Sequence, residues 1–76
     1  MPRMTLPPNQ MRIIREGLGL SREQLASLLE TTRWIVERWE RPEDRKSYTP
    51  PPSRCVRLLK AYEAGYRPDD WPEDVL

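Results

Sequence analysis

Residues 20–40 read LSREQLASLLETTRWIVERWE. Ser21 followed by Gln24 forms a capping box, in which the hydroxyl accepts from the amide three residues on and the glutamine side chain reaches back. Leu25, Leu28 and Leu29 then make an apolar stripe at helical spacing. Ala26 beside it lets another helix approach closely. The spacing predicts a helix over about 21–30. Thr31 and Thr32 interrupt it, and a threonine hydroxyl can cap a new helix by accepting from its free amides. A further helix is expected through about Arg41, with Pro42 helping to end it. Two short helices joined by a turn of a few residues give the helix-turn-helix outline.

On the second of these helices Thr32, Ile35, Val36 and Trp39 fall at i, i+3, i+4 and i+7 and share one face. Arg33, Trp34, Glu37, Arg38 and Arg41 occupy the other side. Trp39 is therefore read as core and Trp34 as outward-facing, with Arg38 one turn on and in reach of a cation–π contact. Glu37 has Arg33 and Arg41 four residues to either side, a spacing that suits ion pairs within a helix. Glu40 follows the core aromatic and is expected to pair with a basic residue of the first helix, Arg12 or Arg15.

Working outward, Pro7 and Pro8 close an N-terminal arm over 1–8. Asn9 is read as the cap of a first helix with Met11, Ile13 and Ile14 as its apolar positions, ending at Gly17 or Gly19. Residues 41–53, RPEDRKSYTPPPS, hold four prolines and no apolar period, so they are a loop. Pro52 suits the first position of a fourth helix, whose stripe is Cys55, Val56, Leu58, Leu59 and Tyr62 and which ends near Gly65. The segment 65–76 is irregular, and Trp71 is its only large apolar anchor. The expected fold is all-α, a compact bundle of four to five helices.

A chain of 76 residues is one small domain, burying only about 60% of its unfolded surface. Its three Trp and three Tyr carry much of the available core area. There is no His, which removes the commonest general base and metal ligand. The lone Cys55 can form neither an internal disulfide nor a zinc site and is read as a small buried hydrophobe. No metal, cofactor or small-molecule ligand is expected. No paired carboxylates, glycine-rich phosphate loop or Ser/His/Asp set marks an enzyme. No apolar run approaches the roughly 20 residues of a membrane span, and MPRMTLPPNQ at the N-terminus lacks a signal peptide's apolar stretch, so a cytoplasmic protein is expected.

Net charge is +1, but it is unevenly spread. Residues 1–62 carry 12 basic and 7 acidic side chains, a net of +5, while residues 63–76 carry Arg67 against five acids, a net of −4. A basic body with an acidic tail is a common layout for a nucleic-acid binder.

The stretch 20–40 resembles the helix-turn-helix of the Xre/Cro family, the small repressors of phages, plasmids and bacteria. That pattern is roughly Leu-Ser-Gln-x-x-Leu-Ala, a turn, and a helix ending in an aromatic or aliphatic residue followed by Glu. Leu20, Ser21, Leu25 and Ala26 match the first part, and Val36, Trp39 and Glu40 the second. The likeness covers about 9–64. Arg22 stands where relatives usually have Gln, Glu30 replaces a glycine common before the turn, and the glycine usual after Glu40 is absent. Small phage regulators, including repressors that accompany anti-CRISPR genes, share this compact layout.

The resemblance implies a lambda-repressor-like DNA-binding domain that regulates transcription, as a repressor, by binding an inverted repeat in double-stranded DNA as a homodimer. It places base-reading positions at Thr32, Arg33, Trp34, Glu37 and Arg38, where a helix in the major groove meets the base edges. Ser21, Arg22, Thr31, Arg41, Arg45 and Lys46 are then positioned for backbone contacts. Helix four and the tail around Trp71 are candidates for the dimer surface, with a lid over the domain's own core as the other role for Trp71. The alternative function is a protein-interaction module, an antitoxin or phage adaptor, that uses Trp34 and the same helix as its partner surface.

Overall fold

The capping box at Ser21 forms: its Oγ accepts from the Gln24 amide at 3.0 Å, and Gln24 Oε1 accepts from the Ser21 amide at 2.9 Å. This element and its neighbours were described in a computed structural model covering residues 6–75. Four helices follow in order: α1 Pro8–Gly17, α2 Arg22–Leu28, α3 Arg33–Trp39 and α4 Ser53–Glu63, with no strand among the described residues. The radius of gyration is 11.9 Å, close to the ~11 Å of a compact chain of this length.

Several boundaries differ from the sequence reading. Pro7, not Asn9, is the N-cap of α1, and Pro8 is its first residue. A proline fits there because its missing N–H is one that the first turn leaves unpaired anyway. The arm assigned to 1–8 therefore ends earlier, Leu6 belongs to the core, and residues 1–5 lie outside the described residues. Ile13 is 56% exposed, so the buried side of α1 is Met11, Ile14 and Arg15. Pro52 is the N-cap of α4 rather than its first residue.

Helix α3 stops at Trp39, two residues short of the expected end. Arg41 precedes Pro42, and the residue before a proline is pushed away from helical backbone. Glu40 sits at φ −95, ψ 0 and turns its carboxylate inward. The turn between α2 and α3 is Leu29, Glu30, Thr31 and Thr32.

The core joins all four helices: Met11 and Ile14 of α1, Leu25, Ala26 and Leu28 of α2, Val36 and Trp39 of α3, and Cys55, Val56, Leu59 and Tyr62 of α4. The chain after α4 folds back on it. Trp71 meets Tyr62 edge-on with centroids 5.3 Å apart, and its Nε1 donates to the Val75 carbonyl at 2.7 Å. Arg67 caps the end of α4 by donating to the carbonyls of Tyr62 and Tyr66 and lies over the Trp71 ring at 4.3 Å. Within one chain, Trp71 is thus a lid on the domain's own core. No helix of the described residues is long and apolar enough to cross a membrane.

Candidate functional site

Helix α3 divides its two tryptophans as its wheel requires. Trp39 is 3% exposed and Val36 fully buried, whereas Trp34 is 66% exposed. Thr32 caps the helix, its Oγ1 accepting from the Ile35 amide at 3.3 Å. The hydroxyl is therefore already engaged at the start of the helix. Thr31 is half-buried, and its amide donates to the Ala26 carbonyl at 2.9 Å.

The charged side of α3 is wired as the sequence reading expects at Arg41 and differently at Arg33. Glu37 accepts from Arg41 Nη2 at 3.1 Å. Arg33 turns instead to α2, where its Nη1 donates to Glu23 Oε1 at 3.1 Å. The same guanidinium lies 5.0 Å from the centroid of the Trp34 ring. Arg33, rather than Arg38, is therefore the cation against Trp34. Arg38 is exposed and has no ion pair among the described residues.

Behind this face sits a buried charge cluster. Glu40, its side chain 2% exposed, receives Arg15 side-on: Nε at 2.6 Å and Nη2 at 3.1 Å. Arg15 Nη1 donates to the Leu20 carbonyl at 2.9 Å. Of the two partners expected for Glu40, Arg15 is the one used, while Arg12 pairs with Glu16 at 3.6 Å. Arg22 adds a third member, its Nε donating to Glu40 Oε1 at 3.1 Å with the side chain 39% exposed. No buried side-chain polar atom among the described residues lacks a hydrogen bond. The cluster ties α1, the start of α2 and the end of α3 together and fixes the direction in which α3 leaves the body.

Two shallow recesses flank α3. One, of about 320 Å³, is lined by Arg15, Ser21, Arg22, Glu23 and Arg33. The other, of about 270 Å³, is lined by Arg41, Pro42, Arg45 and Ser47. Ser21, Arg22 and Arg33 thus share one recess, and Arg41 and Arg45 share the other, just past the end of α3. Lys46 stands exposed in the following loop. Glu23 was not a sequence candidate, because no local periodicity signals a contact between residues ten positions apart.

Among the described residues there is no group of three or more His, Cys, Asp or Glu side chains placed to hold a metal ion. Burial raises the Cys55 thiol above its ordinary value, with Arg54 opposing in part. This disfavours the thiolate a nucleophile would need. Tyr48 is also raised, by burial and then by Glu43.

Comparison with protein-family models, with curated proteins and with solved structures finds no match to this chain.

Proposed function

We propose that the chain is a sequence-specific regulator of transcription that inserts α3 into the major groove of double-stranded DNA. The observation that carries this reading is the division of α3: Val36 and Trp39 are buried, while Arg33, Trp34 and Arg38 stand outward together. An arginine so placed can donate two hydrogen bonds to guanine O6 and N7, each good pair supplying about 1–3 kcal/mol of discrimination. Ser21, Arg22, Arg41, Arg45 and Lys46 then lie at the two ends of the helix, where phosphate contacts set register without reading sequence. In this reading the protein works in the cytoplasm without a cofactor and performs no catalysis. A homodimer represses transcription by covering an inverted repeat, its two α3 helices about 34 Å apart.

Selection of bound duplexes from a random pool tests this. A palindromic motif is expected, and equal weak retention of all sequences at about 150 mM salt sinks the proposal. Arg38→Ala is expected to relax preference at one base position. Arg22→Ala is expected to weaken all sequences alike and to reduce the salt slope by about 1.

A second reading is favoured by one feature, the 66% exposure of Trp34. Exposed tryptophans are frequent anchors of protein interfaces, and α3 would then serve as an adaptor surface. Loss of a protein partner on Trp34→Ala, with no sequence enriched in the selection, would decide for it.

A further inference from the structure

Resting on the DNA-binding reading, we propose that Arg33 and Trp34 form one composite reader of a guanine and a neighbouring thymine, with Glu23 as the positioning residue. Arg33 is held on two sides. Its Nη1 is engaged by Glu23 Oε1 at 3.1 Å, and its guanidinium lies 5.0 Å from the Trp34 ring centroid. A guanidinium has two edges that can make paired hydrogen bonds. Glu23 occupies the end that includes Nη1, which leaves the Nε–Nη2 edge without a hydrogen-bond partner among the described residues. That edge presents two parallel donors, the complement of the two acceptors O6 and N7 that guanine shows in the major groove.

The ring position supplies the second half. A guanidinium in the plane of a guanine has that base's neighbour about 3.4 Å away along the strand. A ring whose centroid is 5.0 Å from the guanidinium is near enough to reach the adjacent base pair. The only apolar group that the bases display in the major groove is the thymine methyl. Trp34, 66% exposed, has the free surface to cover it. Ordering an arginine before contact also lowers the entropy lost on binding. Glu23 comes from α2 and is 70% exposed at its side chain, so its carboxylate has no role in the core.

The test uses the duplex that the wild-type chain selects from a random pool. The contacted guanine is replaced by 7-deazaguanine, which lacks N7, and the adjacent thymine by deoxyuridine, which lacks the methyl. Wild-type protein is expected to lose about fivefold or more in affinity on the first change and about threefold on the second. Arg33→Ala should be indifferent to the guanine edit, and Trp34→Ala to the uracil edit. Glu23→Gln should melt at the wild-type temperature and bind random duplex at least as well, since a negative charge near phosphate is removed. It should nonetheless lose most of its preference for guanine over 7-deazaguanine. A merely structural Glu23 would not move that ratio. If the wild type tolerates both edits at every selected guanine and thymine, or Glu23→Gln keeps full guanine preference, the composite reader is wrong although DNA binding stands. If the pool yields no enriched sequence, the DNA reading fails and this inference with it.

Discussion

Glu40 joins the end of α3 to α1 and to the start of α2. Its carboxylate is 2% exposed and satisfies both Arg15 and Arg22. Removing one member of a buried ion pair leaves the other uncompensated, at about 3–5 kcal/mol. Glu40→Ala is therefore expected to lower stability by about 3 kcal/mol in urea unfolding, because the buried Arg15 loses its side-on carboxylate and keeps only the Leu20 carbonyl and the exposed Glu16 at 3.8 Å. A loss under about 1 kcal/mol, the range of exposed pairs, would show that solvent reaches Arg15. Arg22→Ala should cost much less, since Arg15 still holds Glu40. A pair between Glu40 and α1 was legible in the sequence because Glu40 follows a core aromatic, but the choice between Arg12 and Arg15 needed the tertiary structure. Arg22 was not legible as a partner: its position at the start of α2 gives no hint that α3 ends against it. The same limit explains Arg33. Helical spacing offered it Glu37, and the closer acid across the turn, Glu23, prevailed.

At the scale of elements, three of the four helices end in the same way. After α1, the Leu20 amide donates to Arg15 O and the Gly19 amide to Glu16 O. After α4, the Tyr66 amide donates to Ala61 O and the Gly65 amide to Tyr62 O. After α2, the Thr31 amide donates to Ala26 O and the Glu30 amide to Ser27 O. This is the Schellman pattern, which requires a left-handed residue at its centre. Two of the three centres are glycines, Gly19 at φ 76 and Gly65 at φ 112, and the third is Glu30 at φ 55. A side chain in that conformation costs roughly 1–2 kcal/mol, offset in part by the greater freedom that glycine loses on folding. Glu30→Gly is accordingly expected to raise stability by about 0.5–1 kcal/mol, read as a higher urea midpoint at unchanged slope. Gly19→Ala should do the reverse, and its new Cβ would also stand 3.4 Å from Val75. The resemblance marked Glu30 as standing where a glycine is common. It did not show that the left-handed backbone persists without it, because the two hydrogen bonds that enforce it depend on where α2 ends. The capping box at Ser21 was legible throughout, since every atom in it comes from four consecutive residues.

For the whole molecule, the segment after α4 completes a thin core. Trp71 closes over Tyr62, and Val75 reaches Gly19 at the junction of α1 and α2. The acidic composition of this segment was plain in the sequence, and so was the choice of roles open to Trp71. The choice itself needed the tertiary contact with Tyr62. Trp71→Ala is expected to lower stability by about 2 kcal/mol, less than the 3–5 of a fully buried tryptophan, and to speed amide exchange at Val75, whose N–H bonds the Pro72 carbonyl in a turn that the indole anchors through the Val75 carbonyl. Beneath the lid, burial raises the Tyr62 phenol above its ordinary 10.0, with smaller contributions from Asp70, Tyr66 and Cys55, and raises the Cys55 thiol above 9.0. Both groups hold their protons more tightly folded than unfolded. Well below pH 9.0 both groups are protonated in both states and their contribution is fully present. Above that value the unfolded chain sheds the Cys55 proton first, and above 10.0 the Tyr62 proton. Stability therefore falls as pH rises through this window. Urea midpoints measured from pH 8 to 11 should decline from about pH 9, and Cys55→Ala should delay the decline until the phenol titrates. An unchanged onset in Cys55→Ala would mean that the thiol ionises as readily in the folded chain as in the unfolded one.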